Sequence, residues 1–259
     1  VARLPELNDP RFLHEVGWFL YHSTYVFPGD SYRGERLERS GELLAEVLEH
    51  CVEDSAWLEG KTVVSVGAGC TGDLAAWPAA VKVALDPLMY AYQQLGMLVE
   101  DAPGTASTLY LSLAGEDLPL LDGCADVVLC RNALDHMPDP EAGLAEMERI
   151  LRDGGLLFLS VDLGGEPTPD EPSPFEREDL RELVAPLFDE VSRTEKDRPH
   201  SPHRDSSVRL LLRKRGRLVQ SLDRDVALRD YLRLLRDEGC THAWDEEQLA
   251  RLEESTRAR

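Results

Sequence analysis

The chain has 259 residues, enough to bury the core of one large α/β domain, alone or with helical additions. Its longest apolar runs, such as 155–161, are strand-sized and far short of the roughly 20 residues of a membrane span. With 28 Lys and Arg against 49 Asp and Glu, the formal net charge of −21 argues against nucleic acid and anionic membranes as partners. A basic cluster of Arg209, Arg213, Lys214, Arg215 and Arg217 reads as a solvated edge strand and its exit. The five cysteines, Cys51, Cys70, Cys124, Cys130 and Cys240, are odd in number and lack a C-x-x-C pair. That pattern argues against a disulfide scaffold or structural zinc, and with no signal-like leader at Val1 it points to the cytoplasm.

In chain order, residues 9–50 are predicted as two helical pieces broken at Phe27-Pro28-Gly29-Asp30. Leu37, Leu43, Leu44, Val47 and Leu48 give the second piece an apolar stripe. From Lys61 the rhythm changes to short apolar strands at 62–66, 81–85, 108–111, 126–130 and 156–161, with helices at 88–99 and 140–151. Continuous apolar strands separated by helices imply a parallel sheet covered on both faces. A loop rich in Pro, Gly and acid spans 162–174, followed by a helix at 177–184. Strands at 188–194 and 207–213 are joined by a polar loop carrying His200 and His203. The tail, 222–259, reads as two charged amphipathic helices serving as a lid, a cap or a homo-oligomer contact.

The first strand runs into Gly67-Ala68-Gly69-Cys70-Thr71-Gly72. Glycines there permit a tight turn and close approach of backbone to a ligand, and a short helix after them would offer N–H groups to an anion. The second strand ends in Asp86-Pro87, where a carboxylate can accept both hydroxyls of a ribose. Asp86 also suits the cap of the next helix, and the two roles are compatible. Together these features point to a nucleoside, carried either by NAD(P) or by S-adenosylmethionine.

Further pieces follow: Gly115-Glu116-Asp117-Leu118-Pro119, then 126–130 with Asn132-Ala133-Leu134-Asp135-His136, then Ile150-Leu151-Arg152-Asp153-Gly154-Gly155 before a strand. In this order, over about 61–213, the sequence resembles the class I S-adenosylmethionine-dependent methyltransferases, particularly the small-molecule group called methyltransferase type 11. The resemblance implies a doubly wound, Rossmann-like seven-stranded sheet, mostly parallel, with an antiparallel strand near one edge and helical additions at both ends. It divides the chain into an N-terminal helical segment or lid (1–60), a cofactor-binding core (61–215) and a C-terminal helical extension (216–259). It also implies S-adenosylmethionine as cofactor, held by Gly67, Ala68, Gly69, Asp86, Pro87, Gly115, Glu116, Asp117 and Asn132. The chain departs from the family pattern at Ser65 and Ala114, where an acid is usual.

Methyl transfer requires the acceptor atom to be held in line with the departing sulfur, and a hydroxyl acceptor also needs a base. His136, oriented by Asp135 at the edge of the fourth strand, is the candidate; packing is the alternative role. Tyr25, Tyr32 and Trp18 either seal the cofactor pocket or belong to helix core, and core is the reading favoured for Trp18. No metal is expected. The activity expected is methylation of an oxygen or nitrogen of a small metabolite, such as a sugar or secondary-metabolite scaffold. An NAD(P)-dependent oxidoreductase and a non-catalytic cofactor-binding protein are the alternatives.

Overall fold

The run Thr62-Val63-Val64-Ser65-Val66 has the β-branched content and lack of alternation of a strand buried on both faces. In the computed structural model, which describes residues 10–21, 23–24, 30–51, 55–197 and 204–216, this run is β1 of a seven-stranded sheet. The others are β2 (Val81–Leu85), β3 (Thr108–Leu111), β4 (Ala125–Arg131), β5 (Leu151–Leu163), β6 (Phe188–Lys196) and β7 (Ser206–Lys214). They lie in the order β3-β2-β1-β4-β5-β7-β6. Strands β1 to β5 pair in parallel, and β7 runs antiparallel to both β5 and β6. This is the doubly wound sheet expected. Because β1 pairs with both β2 and β4, the strand order reverses there, leaving a crevice at the carboxyl ends of β1 and β4.

Helices α1 (Pro10–Tyr21), α2 (Asp30–Cys51), α3 (Met89–Gln94), α4 (Pro140–Ile150) and α5 (Arg177–Val184) flank the sheet. On one face, Leu43 and Val47 of α2 pack with Val63, Trp77, Val127, Leu129 and Leu211. On the other, Leu144 and Met147 of α4 and Leu180 of α5 meet Val64, Val128 and Leu157. The Asp139 side chain caps α4 by accepting the Ala142 N–H at 3.0 Å, with Pro140 in the first turn. Lys82 enters the buried sheet, but its ammonium donates to Asp101 Oδ1 at 2.6 Å and to Leu74 O and Thr105 Oγ1 at 3.1 Å, so the charge is paired. Among the described residues no helix is long and apolar enough to cross a membrane.

Several local expectations are corrected. No helix follows the glycine turn: residues 73–76 form turns, with the Ala75 N–H on Gly72 O and the Trp77 N–H on Leu74 O, before Pro78. The helix expected at 88–99 is only α3, because Gly96 takes φ +65° and the Met97 N–H bonds back to Tyr92 O. Strand β5 begins at Leu151 rather than 156, since Leu151 pairs with Ala125 before the register shifts. Trp18 is 46% exposed and is not core. Of Cys124 and Cys130, which flank or lie in the fourth apolar run and so are expected as core thiols, Cys130 is buried and Cys124 only partly so. The basic cluster is largely engaged: Arg209 pairs with Glu46, Arg215 with Asp189, and Lys214 with Glu148 and two backbone carbonyls. Tyr25, His200, His203, Arg217 and the predicted tail helices lie outside the described residues.

Candidate active site

At the end of β1 the chain turns through Gly67, Ala68 and Gly69, with both glycines at positive φ (+65° and +54°). A Cβ on Gly67 would lie 2.3 Å from the Cβ of Ala133, so only glycine lets this turn pass the segment after β4. Asp86 follows directly on β2. Its Oδ2 accepts the Gly69 N–H at 2.9 Å and its Oδ1 accepts the Leu88 N–H at 2.8 Å. The carboxylate therefore tethers the glycine turn to the tip of β2 and also caps the turn after Pro87. Of about four lone-pair directions on a carboxylate, two remain for a ribose diol. Burial raises the Asp86 carboxyl to about 6, although the Leu88 and Gly69 N–H groups favour its charge. Gly115 closes the same corner: a Cβ there would meet Met137 Cε at 2.7 Å and Val66 Cγ1 at 3.0 Å. Glu116 is half-buried and Asp117 exposed beyond it.

Helix α1 lies across this crevice. The Phe19 ring stands edge-on to Tyr92 at 5.5 Å and would be 3.1 Å from a Cβ on Gly69. Trp18 stacks edge-on to Phe19 from the solvent side, at 4.9 Å. Tyr32, on α2, is buried with its hydroxyl 3.5 Å from Cys70 Sγ and with Arg36 over its ring, so it packs against the glycine turn.

Past β4, Asn132 adopts φ +51°, the one positive φ of a non-glycine residue among those described. Its N–H donates to Ser160 O at 2.8 Å, while its Oδ1 is buried without a hydrogen-bond partner. Asp135 is fully buried and neither carboxylate oxygen is hydrogen-bonded. Burial raises its carboxyl to about 6, opposed by the neighbouring His136. His136 donates Nδ1–H to Glu15 Oε1 on α1 at 3.2 Å, and its Nε2 is buried without a partner. Burial pulls the imidazole pKa down, but Glu15, Asp135 and Glu171 together outweigh it and hold the ring at about 9. Glu171, in the acidic loop after β5, is clamped by buried Arg204 at 2.7 Å; Arg204 also donates to the carbonyls of Gly164, Glu166 and Glu171.

The structure thus brings together Gly67, Ala68, Gly69, Asp86, Pro87 and Gly115 at one corner, and Asn132, Asp135 and His136 beside it. No contact ties Glu116 to that corner among the described residues. Sequence reasoning missed Glu15, Phe19, Tyr92, Glu171 and Arg204, which reach the site from distant segments with no motif to mark them. It also missed the brace under the glycine turn, where Arg131 Nη2 donates to Asp73 Oδ1 at 2.5 Å and Thr71 Oγ1 to the same oxygen at 2.6 Å.

A family profile described as Methyltransferase domain matches residues 64–159, from β1 into β5. An uncharacterized methyltransferase of Mycobacteroides abscessus is 32% identical over 169 residues, which is 61% of this chain and 62% of that protein. A ubiquinone biosynthesis O-methyltransferase of Pseudomonas paraeruginosa is 33% identical over 119 residues, covering 42% of this chain and 48% of its own length. The chain therefore spans less than two thirds of either relative. Among solved structures, a Burkholderia thailandensis 1,6-didemethyltoxoflavin-N1-methyltransferase superposes with a TM-score of 0.50 at 17% identity, over 83% of this chain and 93% of that one. That likeness is one of fold. The ordered motifs, the strand order and the matched domain agree: residues 64–159 match a methyltransferase domain, on a sheet of the order the resemblance implied.

Proposed function

We propose that this protein binds S-adenosylmethionine across the carboxyl ends of β1, β2 and β4 and methylates an oxygen or nitrogen of a small metabolite in the cytoplasm, such as a sugar or secondary-metabolite scaffold. The observation that carries the reading is Asp86, buried at the tip of β2, oriented by two backbone N–H groups, and left with acceptor capacity for a ribose. The buried, unpartnered Oδ1 of Asn132 offers a second acceptor on the far side of the glycine turn. When bound, the cofactor supplies an electrophilic methyl group on a positively charged sulfur. The residues of the chain do the rest. The Gly67–Gly69 backbone admits the methionine end closely, Asp86 and Pro87 border the ribose, and Gly115, Glu116 and Asp117 border the adenine. Phe19 covers the turn and excludes water.

His136 is the proposed base for an oxygen acceptor. Glu15 engages its Nδ1 and Asp135 adjoins it, so Nε2 is the atom that would meet the acceptor's proton, in the unprotonated form of the ring that a value of about 9 confines to a minor share at neutral pH. One relative is named for O-methylation and the structural neighbour for N1-methylation, which supports a small-molecule acceptor without selecting the atom.

Titration calorimetry with S-adenosylmethionine, S-adenosylhomocysteine and NAD(P)H tests the cofactor. Binding of the first two is expected, and binding of the dinucleotide alone would overturn the reading. His136→Ala is expected to lower turnover by about 10²–10⁴ with little change in cofactor affinity. Unchanged turnover removes His136 from the chemistry.

A further inference from the structure

We propose that Asp135, His136 and Glu171 form a binding site for one divalent first-row transition-metal cation, such as Mn²⁺ or Fe²⁺. One donor atom from each of the three lies within 4.8 Å of the others. That span is close to twice a metal–donor bond of about 2.0–2.3 Å, so a single ion can bridge them with small side-chain adjustments. One imidazole nitrogen with two carboxylates is a donor set that such metals accept.

Three independent features aim these donors at a ligand. Both oxygens of Asp135 are buried without a hydrogen-bond partner, a costly arrangement for a carboxylate that the neighbouring His136 only partly offsets. Nε2 of His136 is likewise buried and unpartnered, while Nδ1 donates to Glu15. A carboxylate behind the outer nitrogen of an imidazole is how metal-ligating histidines are held, with the tautomer fixed and the inner nitrogen free to ligate. Glu171 is fixed by Arg204, and its loop is tied to the ligand segment by the Ser173 N–H on Asp135 O at 3.1 Å and by Ser173 Oγ on Met137 O at 2.9 Å.

Charge points the same way. Glu15, Asp135 and Glu171 face His136, the buried Asp162 adds to the negative field at Asp135, and Arg204 supplies one permanent positive charge against them. A divalent cation balances most of that excess. At the carboxyl end of β4 it would also draw an acceptor oxygen and make its hydroxyl more acidic, taking over the role assigned above to His136. That consequence rests on the methyl-transfer reading; cation binding does not.

The test is titration of the full chain, stripped with chelator, with MnCl₂ at pH 7.5, following free Mn²⁺ by electron paramagnetic resonance. One Mn²⁺ per chain is expected to bind, with nitrogen coupling in the pulsed spectrum. Asp135→Asn and His136→Gln should each weaken that binding at least tenfold, His136→Gln should abolish the coupling, and Glu15→Gln should weaken binding roughly tenfold. Should a variant fail to fold, as judged by circular dichroism, the nitrogen coupling of the unaltered chain decides alone. Absence of a bound equivalent, or several weak equivalents without nitrogen coupling that persist in Asp135→Asn, overturns the site as mere attraction to an acidic surface. Calorimetry with S-adenosylmethionine in chelator, run in parallel, distinguishes failure of the metal site from failure of the cofactor assignment.

Discussion

Asp86 and Asp135 are the same residue type at the ends of neighbouring parts of one crevice, both buried, both with carboxyls raised to about 6 by burial. Their surroundings are opposite. Asp86 receives a backbone N–H on each oxygen, whereas Asp135 receives none. The first belongs to a cradle built from backbone, in which the glycine turn and the tip of β2 hold each other without any ligand. The second belongs to a ring of side chains, Glu15, His136 and Glu171, drawn from three separate segments, none of which donates to its oxygens. The glycine-turn half of the crevice is preorganised by the fold; the half beyond β4 is a polar cluster with buried acceptors left without donors.

The largest effect is expected where backbone does the work. Gly67→Ala forces a side chain onto φ +65° and against Ala133, and should cost ~2–4 kcal/mol of folding stability by urea denaturation. A near-neutral result would show that the turn yields and that the cradle is not preorganised. Next, Asp86→Ala should weaken S-adenosylmethionine binding by ~1–3 kcal/mol in calorimetry, and unchanged affinity would remove the ribose assignment.

The pH dependence comes third. The Asp86 carboxyl is raised from its ordinary value to about 6, so it is ionised above pH 6 and loses acceptor capacity as pH falls through that value. Cofactor affinity should therefore drop roughly tenfold per unit below pH 6. The Asp86→Asn variant should lose that slope, and if the slope persists another group is responsible.

The last comparison sharpens the contrast directly. Asp86→Asn breaks charge-assisted bonds from two N–H groups and should cost ~2 kcal/mol of stability, whereas Asp135→Asn breaks none and should stay within ~1 kcal/mol of the unaltered chain. Equal costs at the two positions would erase the distinction between the halves.

The glycine-turn half was largely legible in the sequence because its signals are local. An apolar β-branched run, glycines directly after it and an acid directly after the next run each imply their own geometry. The short α3 had its signal too, since Gly96 is placed to end a helix, but the apolar residues beyond it, Met97 and Val99, suggested continuation. The early start of β5 had none, because Leu151 becomes a strand residue only by pairing with Ala125 across a register shift. Trp18 shows the same limit: an aromatic on a helix face reads as core, and only the packing of α1 decides that Phe19 turns inward and Trp18 outward.

By itself the sequence determined the strands, the glycine turn, the acid at the tip of β2 and the domain they resemble, because short-range sterics and hydrophobic pattern specify them. Tertiary structure alone decided that Glu15 reaches His136, that Arg204 clamps Glu171, and that both oxygens of Asp135 are buried without a hydrogen-bond partner while each oxygen of Asp86 accepts a backbone N–H. Those outcomes depend on contacts between residues far apart in the chain, and a side chain's environment, not its identity, sets whether its charge is held, shared or left for a ligand.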